Sequence, residues 1–240
     1  MNIENLVGKF RKVITENPYV FNSIVEPMRN EVDSEFESNK KMLAELKSKF
    51  EEYQKECEED DEYNFSIDHY NDLKLDLMTT EYELEYLSQR NFVLREMQIL
   101  YAYKNVEITL KRLISMAYPD TSLRELHNWK ALKEASKNKG ANLTQASFYQ
   151  QIDHLRCVCN ALKHSSKITQ EVKSANIKEF NGKELFCDLS LGTFFDRVEP
   201  LISDFYISFC ASLIVPLGGC KQSWLESFEP YVNPDPEIPF

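Results

Sequence analysis

The chain has 240 residues, 42% of them hydrophobic, enough to bury one large core or two small ones, and a formal net charge of −11. That charge is uneven: residues 31–62 hold thirteen acids against five lysines, whereas residues 121–183 hold eleven Lys/Arg against five Asp/Glu. An acidic total would exclude a nucleic-acid partner, but the basic block keeps that class open, because the local patch is what an anion meets.

In chain order, the first strong signal is a heptad seam. Val32, Phe36, Asn39, Leu43, Leu46, Phe50, Tyr53 and Cys57 follow one another at alternating spacings of four and three. This is the hydrophobic repeat of a coiled-coil helix, with one polar position at Asn39. The acidic stretch Glu58-Glu59-Asp60-Asp61-Glu62 breaks it, and Ser66 is placed to cap a new helix. The period resumes through Leu73, Leu77, Thr80, Leu84, Leu87, Asn91, Leu94, Gln98 and Tyr101. Two seams joined by a short turn predict an antiparallel helical hairpin whose first arm is roughly 39 Å long. Two ordinary amphipathic helices packed on a globular core are the alternative. The polar Asn39 and Asn91 are candidates for setting register.

Helical periodicity continues through Leu100, Tyr103, Val106, Leu110 and Leu113 until Tyr118-Pro119, where proline ends it. A shorter helix is predicted over 122–137, closed by Asn138-Lys139-Gly140. A further helix spans about 144–165, with Phe148, Ile152, Leu155, Cys159 and Leu162 facing inward. Asn181-Gly182 lies between two alternating runs and predicts a β-hairpin over about 175–188. Thr193 to Asp196 resembles a capping box opening the last long helix, which a proline at 200 would kink. Four prolines after Phe228 mark an extended or disordered tail. The fold class expected is all-α, with 1–84 as an N-terminal helix and coiled-coil hairpin, 85–220 as a helical domain, and 221–240 as a proline-rich tail.

The chemistry-bearing residues concentrate in the helix over 144–165. Arg156, Asn160 and His164 recur every four residues, which places them on nearly one face with a drift of about 40° per step. An arginine that holds an anion beside a histidine that moves a proton is a minimal kit for attacking a phosphodiester. A polar, solvated helix face with His164 stabilising the C-terminus through the helix dipole is the plain alternative. His154, Cys157, Cys159 and His164 invite a metal, but on a helix the two cysteines point about 200° apart, so no metal or other cofactor is expected. No glycine-rich phosphate loop or serine nucleophile elbow occurs. The acidic run at 58–62 lacks the spacing of a calcium loop.

Six scattered cysteines and a start without a basic or strongly apolar segment predict free thiols in a reducing, cytoplasmic setting. The longest apolar run, Phe205 to Leu217, is shorter than a bilayer span and reads as a buried core helix, so no membrane partner is expected.

A long helix, a short helix, a helix ending in Asn-x-x-x-His, an excursion and a final helix together resemble the HEPN superfamily, small all-α domains of prokaryotic toxins and phage-defence proteins. The resemblance covers about residues 85–220. Active members are metal-independent endoribonucleases carrying an Arg, four to six residues, then His. Asn160 and His164 sit where the family's Asn and His would be. Cys159 stands where its Arg would be, and Arg156 lies one turn earlier. The resemblance implies that His164 serves as general acid or base, that Arg156 holds the phosphate with Lys163 and Lys167, and that Asn160 orients the histidine or the phosphate. It also implies RNA as the substrate, a 2′,3′-cyclic phosphate product, and a homodimer. Non-catalytic branches of the family imply an interaction or regulatory module instead, with the hairpin docking a protein partner.

Overall fold

The computed structural model describes residues 2–15, 20–59, 66–122 and 124–228. The fold is all-α. Among the described residues there are nine α-helices, three short 3-10 turns and no β-strand. The chain divides into two compact units, Val20–Met97 and the combination of Met1–Tyr19 with Gln98–Phe240. The sequence boundary at 84/85 falls instead within a single helix, and the N-terminal helix joins the larger unit.

The smaller unit is an antiparallel helical pair, α2 (Val20–Glu59) and the first part of α3 (Ile67–Ala117). Its seam is the one written in the heptads. Every seam residue from Val32 to Cys57 and from Leu73 to Leu94 is buried or half-buried. Val25, Val32, Phe36, Leu87 and Leu94 form its apolar centre. Polar pairs cross the seam: Asn91 Nδ2 donates to Asp33 Oδ1 at 2.6 Å, Asn39 Nδ2 to Glu83 at 3.2 Å, and Lys47 pairs with Glu81 at 3.1 Å. Near the far end, the rings of Phe50 and Tyr70 lie 5.3 Å apart. The Tyr53 hydroxyl donates to the Ser66 carbonyl at 3.1 Å, and Ser66 Oγ caps α3 by accepting from the His69 N–H. The acidic turn predicted there lies, from residue 60 to 65, outside the described residues.

Beyond Gln98 the pattern changes. Tyr101, the last residue of the predicted seam, is exposed, and burial passes to Ile99, Ala102, Val106, Leu110, Leu113 and Ile114. A two-helix seam needs a 3.5-residue repeat, but a helix inside a many-helix core follows its natural 3.6. Helix α3 ends at Ala117, ahead of Tyr118-Pro119 as expected.

The larger unit is built around α8 (Leu201–Ile214), which packs against α1 (Ile3–Thr15), α5 (Tyr149–Leu162), α7 (Asp188–Val198) and α9 (Lys221–Glu226). Phe205, Phe209, Cys210, Ala211 and Leu213 on α8 are wholly buried. The stretch Asp188–Leu217 reaches a mean hydropathy of 1.6 over 18 residues, yet Pro200 breaks it into α7 and α8 rather than kinking one helix. Helix α7 also begins earlier than predicted, at Asp188 rather than Thr193. The Cys187 N–H donates to Ser190 Oγ at 3.3 Å, and the Cys187 thiol lies 3.2 Å from that hydroxyl. Phe10 of α1 meets Trp224 of α9 edge-on, and the Trp224 indole donates to the Ile207 carbonyl at 2.8 Å. The proline-rich tail lies, from residue 229, outside the described residues.

Two predicted elements are shorter than expected. Helix α4 runs only Trp129–Asn138, because Asn128 Oδ1 accepts the Ala131 N–H at 2.9 Å and caps it there; it stops at Gly140, whose φ of +80 suits a residue without Cβ. The helix predicted over 144–165 is split. A 3-10 turn at Leu143–Gln145 comes first, then Phe148 takes a φ of +62, and α5 starts at Tyr149 and ends at Leu162. Ile152, Leu155, Cys159 and Leu162 are buried as predicted, while Phe148 is exposed.

The β-hairpin expected over 175–188 is replaced by other structure. After α6 (Gln170–Ser174), a 3-10 turn covers Lys178–Phe180, and a single antiparallel bridge joins Lys167 to Leu185. Asn181-Gly182 does turn, with Gly182 at a φ of +73. The flanking residues bury themselves instead of pairing. Phe180 packs edge-on to Phe186 at 5.0 Å and against Phe194 at 5.4 Å. The Glu179 carboxylate, its side chain 3% exposed, takes a bidentate pair from Arg197 at 2.7 and 2.9 Å.

Candidate functional site

Helix α5 presents the half-buried Asp153, Arg156 and Asn160 on one face, flanking its buried Ile152, Leu155 and Cys159. Arg156 is firmly held. Its Nε donates to Asp153 Oδ1 at 2.8 Å, and its Nη2 donates to Glu171 Oε1 of α6 at 2.9 Å and lies 3.2 Å from Cys157 Sγ. Asp153 also accepts the Trp129 indole N–H at 3.0 Å, so one carboxylate ties α4 to α5. Burial works against the guanidinium charge, but the two carboxylates outweigh it and strengthen the protonated form. The neighbouring Cys157 thiol is pushed up to about 12, chiefly by burial, and is therefore neutral at physiological pH.

Beside this network lies an open cleft of about 560 Å³. Tyr103 and Glu107 of α3 form one wall. His127, Asn128, Trp129, Lys130 and Lys133, at and before the start of α4, form the second, and Arg156, Asn160 and Lys163 form the third. The Lys163 ammonium sits 5.7 Å from the centre of the Tyr103 ring, a cation–π contact, while Glu107 is occupied by Lys111 at 2.6 Å. Lys130 has a loose pairing with Glu134 at 3.9 Å between largely exposed side chains. Such a pair holds little energy in water, so the ammonium stays available to an incoming anion. His127 Nδ1 is 3.2 Å from the Arg124 carbonyl; when that nitrogen donates, Nε2 is left with its lone pair. Trp129 is itself buried, with Tyr149 stacked on it at 6.1 Å and Tyr103 tilted against it at 6.1 Å. The cleft therefore offers charge and hydrogen bonds rather than a stacking platform.

Of the five residues singled out in the sequence, the fold brings Arg156, Asn160 and Lys163 to this cleft. His164 and Lys167 are not among the residues lining it. Helix α5 closes at Leu162 with Lys163 as its cap, so His164 falls in the turn beyond, its N–H donating to the Ala161 carbonyl at 3.1 Å and its side chain exposed. Lys167 is exposed and belongs to the bridge with Leu185. The sequence reads His127 and Trp129 as packing residues on a short helix and gives Lys130 and Lys133 no role, whereas His127 is exposed ahead of α4 and lines the cleft with both lysines. Their spacing of three residues was a visible signal, but it required knowing that α4 begins at Trp129.

Comparisons with protein-family models, with curated proteins and with solved structures return no match for this chain.

Proposed function

We propose that this chain is a HEPN-like interaction module whose α4–α5 cleft takes the phosphates of an RNA and whose hairpin engages a protein partner. The observation that supports it is the cation arrangement. Lys130, Lys133 and Lys163 line a cleft together with an Arg156 that two carboxylates immobilise, while His164 does not line the cleft. An RNA phosphate entering there displaces counterions from the lysines and meets hydrogen-bond donors in Asn160 and Asn128.

The presence of His127 in the cleft favours a second reading, metal-independent endoribonucleolysis. In that case His127 Nε2 would take the 2′-hydroxyl proton, and the 2′-oxygen would bond to phosphorus as the P–O5′ bond breaks. The departing 5′-oxygen would take a proton from water, and Lys163 and Arg156 would offset the charge growing on the phosphate, leaving a 2′,3′-cyclic phosphate and a 5′-hydroxyl.

The test is titration of the chain with a fluorescent single-stranded RNA at several salt concentrations, followed by incubation in EDTA. Lys133→Ala and Lys163→Ala are each expected to weaken binding and to lower the salt slope by about one. Equal binding by both variants and the parent overturns the module's RNA half. Intact RNA fits the module. Cyclic-phosphate ends lost in His127→Ala establish the second reading, and ends lost only in His164→Ala restore the Arg156/His164 pairing.

A further inference from the structure

We infer that the face of α3 turned away from the hairpin seam is a docking surface for a basic, amphipathic helix of another protein. The inference deepens the partner half of the proposed function and is independent of its RNA half.

On α3, Leu75, Met78, Tyr82, Tyr86 and Val93 are 63, 60, 73, 55 and 48% exposed. At about 100° per residue they fall within an arc of about 80°, and the seam residues Leu73, Leu77, Leu84 and Asn91 lie on the opposite side. A helix in a two-helix hairpin needs only one apolar face; this one has two. The second stripe runs for about five turns, roughly 27 Å. That is the length over which an amphipathic helix presents its own i, i+3, i+4 and i+7 anchors. Gln89 interrupts the stripe between Tyr86 and Val93, but exposed apolar surface from Leu75 to Tyr86, edged by polar residues, marks an interaction site.

The borders of the stripe identify its occupant. Between residues 66 and 97 there are seven acids against three bases. Asp72 and Asp76 edge one side, and no cation pairs with either among the described residues. Glu85 edges the other side and, among the described residues, holds only a hydrogen bond from Gln89. Of the bases, Lys74 lies on the Glu85 side, and Arg90 already engages Glu35 at 3.8 Å and the Tyr86 ring at 5.9 Å. The whole unit carries twenty-one acids against nine Lys/Arg. A second copy laid on the stripe sets like charges against one another along the Asp72 and Asp76 edge, and the excess of acids over bases repels it overall. An anionic lipid surface meets the same repulsion. Lysines and arginines flanking an apolar stripe complement it.

The experiment uses the full chain and two synthetic helices with leucine at heptad positions a and d. One carries Lys/Arg at e and g, the other Glu, and binding is followed by fluorescence anisotropy. The basic peptide is expected to bind and the acidic one not to. Tyr82→Glu, and separately Met78→Glu, should each weaken the basic peptide by about tenfold or more. Because these variants add negative charge, a merely electrostatic attraction would strengthen instead. Asp72→Asn with Asp76→Asn should weaken binding and flatten its salt dependence. Equal binding of the two peptides, no binding of either, or unchanged affinity in both glutamate variants overturns the inference. So does self-association of the parent chain, by sedimentation, that Tyr82→Glu abolishes. Circular dichroism verifies that the variants keep their helices, and RNA titration of Tyr82→Glu, expected to match the parent, keeps the two halves of the function separable.

Discussion

The hairpin unit and the larger unit bury their apolar residues by different means. In the hairpin one repeated face meets one repeated face, and most seam positions, Leu43, Leu46 and Phe50 among them, stay half-buried. In the larger unit α8 is surrounded by four helices, and Phe205, Phe209 and Leu213 are shut off completely. The charge divides likewise: the hairpin unit holds nearly all the excess acid, leaving the larger unit with eighteen acids against nineteen bases. A two-helix unit draws stability and solubility from a long thin seam and a charged exterior; a multi-helix unit draws them from a closed core.

The largest expected effect sharpens that contrast. Phe209→Ala removes a fully buried ring and should cost about 3–5 kcal/mol, whereas Leu43→Ala at the half-buried seam should cost about 1–2 kcal/mol, both measured by urea unfolding. Equal costs would break the distinction.

Next comes the pair between Arg197 and Glu179. Burial raises the Glu179 carboxyl pKa, but the hydrogen bonds and charge of Arg197 outweigh it, so the folded-state pKa lies below the ordinary 4.5. That stabilisation is present above the unfolded value and is lost as pH falls through the folded one. Arg197→Met leaves the carboxylate buried without its partner and should cost about 3 kcal/mol at neutral pH. Its contribution to the pH dependence should also change sign, with the variant regaining stability on acidification as Glu179 protonates. Unfolding of parent and variant between about pH 3 and pH 7 measures both.

A smaller effect belongs to the hairpin. Asn91 is buried, its Oδ1 finds no partner among the described residues, and its Nδ2 reaches an Asp33 whose side chain is 49% exposed. Asn91→Leu should therefore raise stability by about 1 kcal/mol, since Asp33 can turn to water. It should also loosen register, seen as broadened NMR signals from Phe36 and Leu87, as expected if the polar seam residue serves pairing specificity rather than stability.

The hairpin was legible in the sequence because one signal, a heptad, sets both helix and partner face. From Val32 to Cys57 and from Leu73 to Leu94 the pattern and the burial agree residue by residue. The larger unit was legible in its helices but less so in their ends. Nothing local announces that Phe148 adopts a positive φ, a conformation that costs a side chain with a Cβ about 1–2 kcal/mol and is imposed by tertiary packing. Asn181-Gly182 signalled a turn correctly, but whether its arms pair as strands depended on Phe180 and Glu179 finding Phe194 and Arg197 far along the chain. For the cleft, spacing along α5 placed Arg156 and Asn160 on one face. It could not show that α5 ends before His164, or that α4 supplies the histidine and lysines opposite.

The closure of the larger unit also decides how its thiols behave as reagents. Burial raises the thiol pKa of Cys157, Cys159 and Cys210, keeping them as unreactive thiols. At exposed Cys187 burial acts in the same direction, but hydrogen bonding to Ser190 and the charge of Lys183 prevail and lower the value. An alkylating probe at neutral pH should label Cys187 ahead of those three, and mass spectrometry of Cys187→Ser should show that early adduct gone. With Cys57 and the exposed Cys220 replaced by serine, the molecule offers an attachment point at the head of α7, where a single dye or spin label can report on the folded protein.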